Sequence, residues 1–192
     1  YRDLIDYAID SYEKAYESLS ELKEAGFGGI ILFNKPPHGF SAEKYLSDEW
    51  FDMVKNFVKA CEALKLRLWI NDGFDYPPGG VAGKLAKIDS TLSQQRVKLV
   101  DGKIVFEDVP WGYPAFEYAK SSELFIKLVY EAYEREVGEY FGNVIEGFFS
   151  DADNRRVNYE VHTEGSRQYD YFPWCKDFEK GFMERYSYDI LP

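Results

Sequence analysis

Residues 67–84 read RLWINDGFDYPPGGVAGK. A short apolar run, Leu68-Trp69-Ile70, stops at Asn71-Asp72, and two aromatics, two prolines and three glycines follow within a few residues. This is the pattern of a buried strand that delivers polar groups into a stiff, solvent-facing loop, with Trp69 expected inside the core. In α/β proteins the carboxyl ends of such strands carry the chemistry.

Working outward, helix and strand signals alternate. Leu4, Ala8, Ala15, Leu19 and Leu22 recur at three- and four-residue spacing, which predicts a helix over 1–24. Residues 27–33 (FGGIILF) form a second short apolar run, closed by Asn34 and a Pro36-Pro37-His38-Gly39 turn. Ser47-Asp48-Glu49 caps a helix whose stripe is Trp50, Val54, Phe57, Val58, Cys61 and Leu64. Asp101-Gly102 between two alternating runs predicts a hairpin over 95–109. Ser121 is expected to cap one long helix reaching Val137. Residues 144–150 (VIEGFFS) read as a third buried strand, ending in Asp151-Ala152-Asp153-Asn154. A long polar connection leads to Pro173-Trp174, which is expected to open a last helix running to Tyr186.

The fold class is therefore α/β. Three strands that all end in polar loops predict a partial (β/α) TIM-barrel-like domain with an inserted β-hairpin. A flavodoxin-like open sheet is the competing arrangement, though the first strand lacks a glycine-rich phosphate turn. A complete barrel needs about 250 residues. Residues 1–192 are thus expected to be a single domain and a fragment of a longer barrel, the other reading being a small self-sufficient domain with covered sheet edges.

The formal net charge of −11 argues against nucleic acid and against an anionic membrane surface as partners. A neutral substrate or a cation fits better, the competing reading being that the charge only provides solubility. Cys61 and Cys175 are too few for a disulfide framework and have no zinc spacing with His38 or His162. No metal site is expected, apart from a calcium option at Asp151, Asp153 and Asn154, where ion pairing with Arg155 or Arg156 competes. No signal peptide or membrane-spanning run is visible in a chain that begins at Tyr1. Trimming of the N-terminus is expected, and cytoplasmic and secreted locations both stay open. Gly-x-Ser-x-Gly and phosphate-loop signatures are absent.

Sixteen Tyr and four Trp supply rings suited to sugar faces, and Tyr76, Trp111 and Tyr113 follow turn residues as platforms should. Asp72 reads either as a catalytic or hydroxyl-binding carboxylate, or as an acceptor for loop N–H groups. His38, Asn71 and Asp75 complete the candidates on that side, with Asp151, Asp153 and Asn154 after the third strand.

In order and spacing these segments resemble the TIM-barrel glycoside hydrolases of the α-L-rhamnosidase-like group. The resemblance spans residues 26–191 and rests on Tyr45-Leu46-Ser47-Asp48-Glu49-Trp50, Trp69-Ile70-Asn71-Asp72-Gly73, Tyr76-Pro77-Pro78-Gly79, Phe149-Ser150-Asp151-Ala152, Pro173-Trp174 and Glu184-Arg185-Tyr186. It implies a sugar site at the strand ends and catalysis by paired carboxylates, with Asp72 and Asp151 as candidates. Gly73 and Ala152 stand where the family carries glutamate. The chain alone is therefore expected to be inactive as a hydrolase, and a non-catalytic carbohydrate-binding or protein-interaction domain is the alternative.

Overall fold

Strands β1 (Gly29–Leu32), β2 (Arg67–Asn71) and β5 (Ile145–Phe149) lie parallel in the order β1-β2-β5. They belong to a computed structural model that describes residues 11–34, 39–74, 78–109, 112–150, 172–175 and 177–191. Ile30 pairs with Leu68 and Leu32 with Ile70, while β2 meets β5 through Ile70 and Phe148. The two-residue period then sends Ile30, Leu32, Leu68, Ile70 and Ile145 to one face. There they join a single core with Leu19, Trp50, Val54, Phe57, Phe125, Tyr133 and Val137.

The strands follow one another in space as in sequence, and the helices between Tyr12 and Val137 contribute to that one core. A flavodoxin-like sheet needs a reversal of strand order and helices on both faces. Neither is seen among the described residues. They form a mixed α/β chain with two small sheets and no closed barrel.

Helix α1 (Tyr12–Glu24) starts at Ser11, whose side chain accepts from the Lys14 N–H at 3.4 Å. The rest of the expected helix, residues 1–10, lies outside the described residues. Helix α2 (Asp48–Leu64) starts where its cap predicts, with Ser47 accepting from the Trp50 N–H at 3.3 Å. Asp48 and Glu49 face the positive end of the helix dipole. The helix ends on Lys65, held left-handed at φ 52, a conformation that costs a side-chain-bearing residue about 1–2 kcal/mol. Lys65→Gly is expected to raise stability by about 0.5–1 kcal/mol, visible as a higher urea midpoint at unchanged slope.

Four expectations need correction. Trp69 is 39% exposed, because Leu68 and Ile70 face the core and the strand period turns Trp69 to the uncovered side. Its indole N–H donates to Glu146 at 3.2 Å, and the ring lies over Gly147, where a Cβ would sit 2.9 Å from it. Pro173 and Trp174 open no helix. They lie in strand β6 (Phe172–Trp174), and helix α6 (Phe178–Tyr186) begins later. Proline is tolerated there because β6 is an edge strand. Ser121 does not cap its helix. Helix α4 (Ala119–Leu128) begins two residues earlier and breaks at Val129 (φ −104, ψ −70) into α5 (Tyr130–Val137). The stiff proline and glycine loop, expected to face solvent, instead packs inward, with a 3-10 turn at Pro78–Gly83 and a short helix α3 (Lys84–Ile88), anchored by buried Val81 and Leu85.

The hairpin is found where Asp101-Gly102 predicts it. Strands β3 (Gln95–Val100) and β4 (Lys103–Asp108) pair antiparallel down to Val100 and Lys103. Asp101 and Gly102 both adopt positive φ, 49 and 75, as a type I′ turn demands. Strand β6 pairs with the other side of β3, giving the order β4-β3-β6.

Candidate functional site

The carboxyl end of β2 places Asn71 and Asp72 side by side, both buried. Asn71 Oδ1 accepts from the Gly73 N–H at 3.0 Å, and its Nδ2 donates to the Phe149 carbonyl at 3.1 Å. The side chain thus ties the β2 loop to the end of β5. Asn34 does the same job after β1. Its Oδ1 accepts from the Phe40 N–H at 2.6 Å and its Nδ2 donates to the Phe40 carbonyl at 3.1 Å. Both amides are spent on loop closure.

Asp72 is only 2% exposed. Its Oδ2 accepts from the Tyr130 hydroxyl at 2.6 Å, a length typical of a charge-assisted bond. The Tyr45 hydroxyl donates to the Asp72 carbonyl at 3.4 Å. Tyr133 stands behind, accepting from the Trp50 indole N–H at 3.1 Å. Tyr130 and Tyr133 can converge on this point because both follow the break at Val129. Tyr45 packs against Trp50 and Phe74 at ring separations of 5.0 and 5.3 Å.

Among the described residues, Asp72 is a carboxylate set among phenols held neutral. Burial pushes the Tyr130 hydroxyl well above its ordinary value, and the hydrogen bond to Asp72 adds to it. Tyr133 is raised first by burial, with the Asp72 charge in the same direction and the Trp50 bond opposing. Tyr45 is raised by burial, then by Tyr133 and Asp72. A phenolate beside a buried carboxylate would put two like charges in a poorly solvated place.

The chemistry open to this arrangement is hydrogen bonding to a neutral ligand. For Asp72 Oδ2 to accept from an incoming hydroxyl, that hydroxyl must take the place of the Tyr130 phenol. Tyr130→Phe is expected to cost about 1–2 kcal/mol of stability, since a buried carboxylate loses a donor. Asp72→Asn keeps an acceptor for Tyr130 and should cost less. The double variant should cost less than the sum, a coupling that urea unfolding of all three proteins measures.

Of the other candidates, Tyr113 is described. It is not the open platform expected, being 6% exposed, with its ring edge-on to Phe116 at 6.1 Å. Its hydroxyl lies against Gly79, where a Cβ would come within 2.9 Å. The turn that precedes it folds the ring inward rather than outward. His38, Asp75, Tyr76, Trp111, Asp151, Asp153 and Asn154 lie outside the described residues. The structure therefore unites Asp72 with Asn71 and leaves the pairing of Asp72 with Asp151 unaddressed. Tyr45, Tyr130 and Tyr133 were missed from the sequence. The available signal was a pair of tyrosines three apart, interrupting the aliphatic face of a helix.

Among the described residues, no group of three His, Cys, Asp or Glu side chains is placed to hold a metal ion. The calcium option at Asp151, Asp153 and Asn154 falls outside them. Both cysteines are free, and burial pushes the Cys61 thiol up to about 12. No helix among the described residues is long and apolar enough to cross a membrane. Comparison of the chain with known protein families, with curated proteins and with solved structures gave no match.

Proposed function

We propose that the chain forms part of a (β/α) barrel similar to the glycoside hydrolases of the α-L-rhamnosidase-like group, and that it binds neutral carbohydrate at the carboxyl ends of its parallel strands. The observation that carries this reading is Asp72, a buried carboxylate at a strand end bonded to the Tyr130 phenol, with the Tyr45 hydroxyl on its own carbonyl. Such a set offers alternating donors and acceptors to a polyol.

The order β1-β2-β5 supports the barrel part of the reading. Successive right-handed crossovers in one direction put every helix on one face and leave the other to become a barrel interior. Trp69, Arg67 and Glu146 occupy that uncovered face here, joined by the indole bond and an Arg67–Glu146 ion pair at 3.2 Å. Parallel sheets are normally covered on both faces, so further strands of a parent barrel fit there.

Binding is assigned to this chain, and hydrolysis to a carboxylate pair completed in the parent protein. Asp72 and Asp151 are the carboxyls this chain offers, and both lack the neighbouring glutamate, with Gly73 and Ala152 in its place. Calorimetric titration with a panel of neutral oligosaccharides should give weak saturable binding, reduced at least about tenfold by Asp72→Ala. The same chain should not turn over aryl glycosides. Efficient turnover would overturn the division of labour. Binding without turnover by the full-length parent would instead identify the non-catalytic alternative.

A further inference from the structure

The strand-end site is closed. Asp72 is 2% exposed, Tyr45 and Tyr133 are fully buried, and the Tyr130 phenol holds the Asp72 oxygen that a ligand would need. A wall must therefore move before a ligand enters. Tyr45 is fixed edge-on to Trp50 at 5.0 Å, and Tyr133 is tied to the Trp50 indole. The loop after β2 is the remaining wall. Phe74 lays its ring against Tyr45 at 5.3 Å. Farther along, the Pro78–Gly83 turn touches the surroundings of the site on two sides. Gly79 abuts Phe116, where a Cβ would come within 3.0 Å of the ring. Phe116 leads through Phe125 to Tyr130 by edge-on contacts of 5.7 Å each. Lys84, directly after the turn, donates to the Glu43 carbonyl at 3.4 Å, on the loop that carries Tyr45.

The turn itself is strained. Val81 (φ 46, ψ 41), Ala82 (φ 53, ψ 31) and Gly83 (φ 70, ψ 6) are three successive left-handed residues. Glycine adopts that conformation routinely, whereas a β-branched residue there is an outlier. Among the described residues, two adjacent non-glycine positions share positive φ only here. Such backbone persists where its surroundings hold it in place. The holding contact is the Val81 side chain, wholly buried in the core under the parallel sheet. Burial of one side chain is thus set against backbone strain, which gives the segment two competing arrangements.

We propose that Val81 is a latch on the strand-end site. With its side chain in the core, the left-handed turn keeps Phe74 against Tyr45 and the site shut. With Val81 withdrawn, Val81 and Ala82 relax to ordinary backbone, Phe74 leaves Tyr45, and a ligand reaches Asp72. The latch rests on the reading of the strand ends as a ligand face and makes access to that face a two-state equilibrium.

Native-state hydrogen exchange of the 192-residue chain tests it. The reporter is the Gly73 N–H, bonded to Asn71 Oδ1 at 3.0 Å. The reference is the Leu68 N–H, bonded to the Val144 carbonyl at 2.9 Å. Gly73 should exchange through a local opening, at least about a hundredfold less protected than Leu68. Ala82→Gly relieves the closed turn and should slow Gly73 exchange by about fivefold. Val81→Ala weakens the plug and should speed it by about tenfold; if that variant fails to fold, Ala82→Gly still decides. Titrated with the same panel of neutral oligosaccharides, Ala82→Gly should bind about fivefold more weakly while its urea midpoint rises, because a smaller fraction is open. A purely structural role would not lower affinity as stability increases. Gly73 protected as strongly as Leu68, or indifferent to Ala82→Gly, overturns the latch, and so does unchanged or tighter binding by Ala82→Gly. A panel that binds neither protein refutes the ligand face instead, and the exchange result then upholds or overturns the latch by itself.

Discussion

Trp50→Ala is expected to lower the unfolding free energy by about 4–6 kcal/mol, which approaches the whole stability of a typical domain. Trp50 is 1% exposed, at the point where α2 meets the loop after β1 and the helix α5. Its ring meets Phe40 edge-on at 5.4 Å and Tyr45 at 5.0 Å. Truncating a buried Trp costs about 3–5 kcal/mol through lost transfer energy and the cavity left behind. The Tyr133 hydroxyl also loses the indole N–H, adding about 1 kcal/mol. Trp50→Phe keeps most of the volume and should cost about half as much. Urea unfolding followed by circular dichroism separates the two. A loss under about 2 kcal/mol for Trp50→Ala would mean that the site collapses around the cavity and that Trp50 is not the keystone described.

The second large effect is alkaline. Tyr45 and Tyr133 are fully buried, and both are raised above their ordinary values. In the unfolded chain they titrate near pH 10. Below that value both states carry the proton and stability is complete. Above it the unfolded state releases protons that the folded state retains, so stability falls as pH rises toward the folded values. Each such group contributes a slope of about 1.4 kcal/mol per pH unit, or about 2.7 for the two together. Tyr130, partly buried, is raised in the same direction. Urea midpoints should therefore drop steeply as pH passes about 10 in the unsubstituted chain. Tyr133→Phe should remove roughly half of the dependence. A flat profile through this range would show that water reaches these phenols.

Much of this was legible from residue order, and the exceptions share a cause. The cap at Ser47, the Asp101-Gly102 turn and the three strand cores are local signals, set by backbone chemistry within a few residues. Trp69 was misplaced because an apolar triplet does not say whether one face of its sheet is covered or two. Pro173 was misplaced because proline suits an edge strand as well as a first helical turn. The strand-end site divides the same way. Asp72 and Asn71 stand out in sequence because they interrupt an apolar run. Tyr130 lies 58 residues away, and only the tertiary fold brings its hydroxyl to Asp72. The inward fold of Tyr113 likewise follows from its packing against Phe116 and Gly79, which no turn residue announces.

The central claim is that the carboxyl ends of β1, β2 and β5 form the ligand face. Amide chemical-shift mapping during titration with a neutral oligosaccharide tests it most directly. The account predicts saturable shifts at Asn34, at Asn71, Asp72 and Gly73, and at Ser150, with the hairpin tip at Asp101 and Gly102 unmoved. It also predicts their loss in Asp72→Ala, whose remaining spectrum should stay dispersed. Shifts confined to the hairpin or to α6, or no shifts with any neutral glycan, would contradict it.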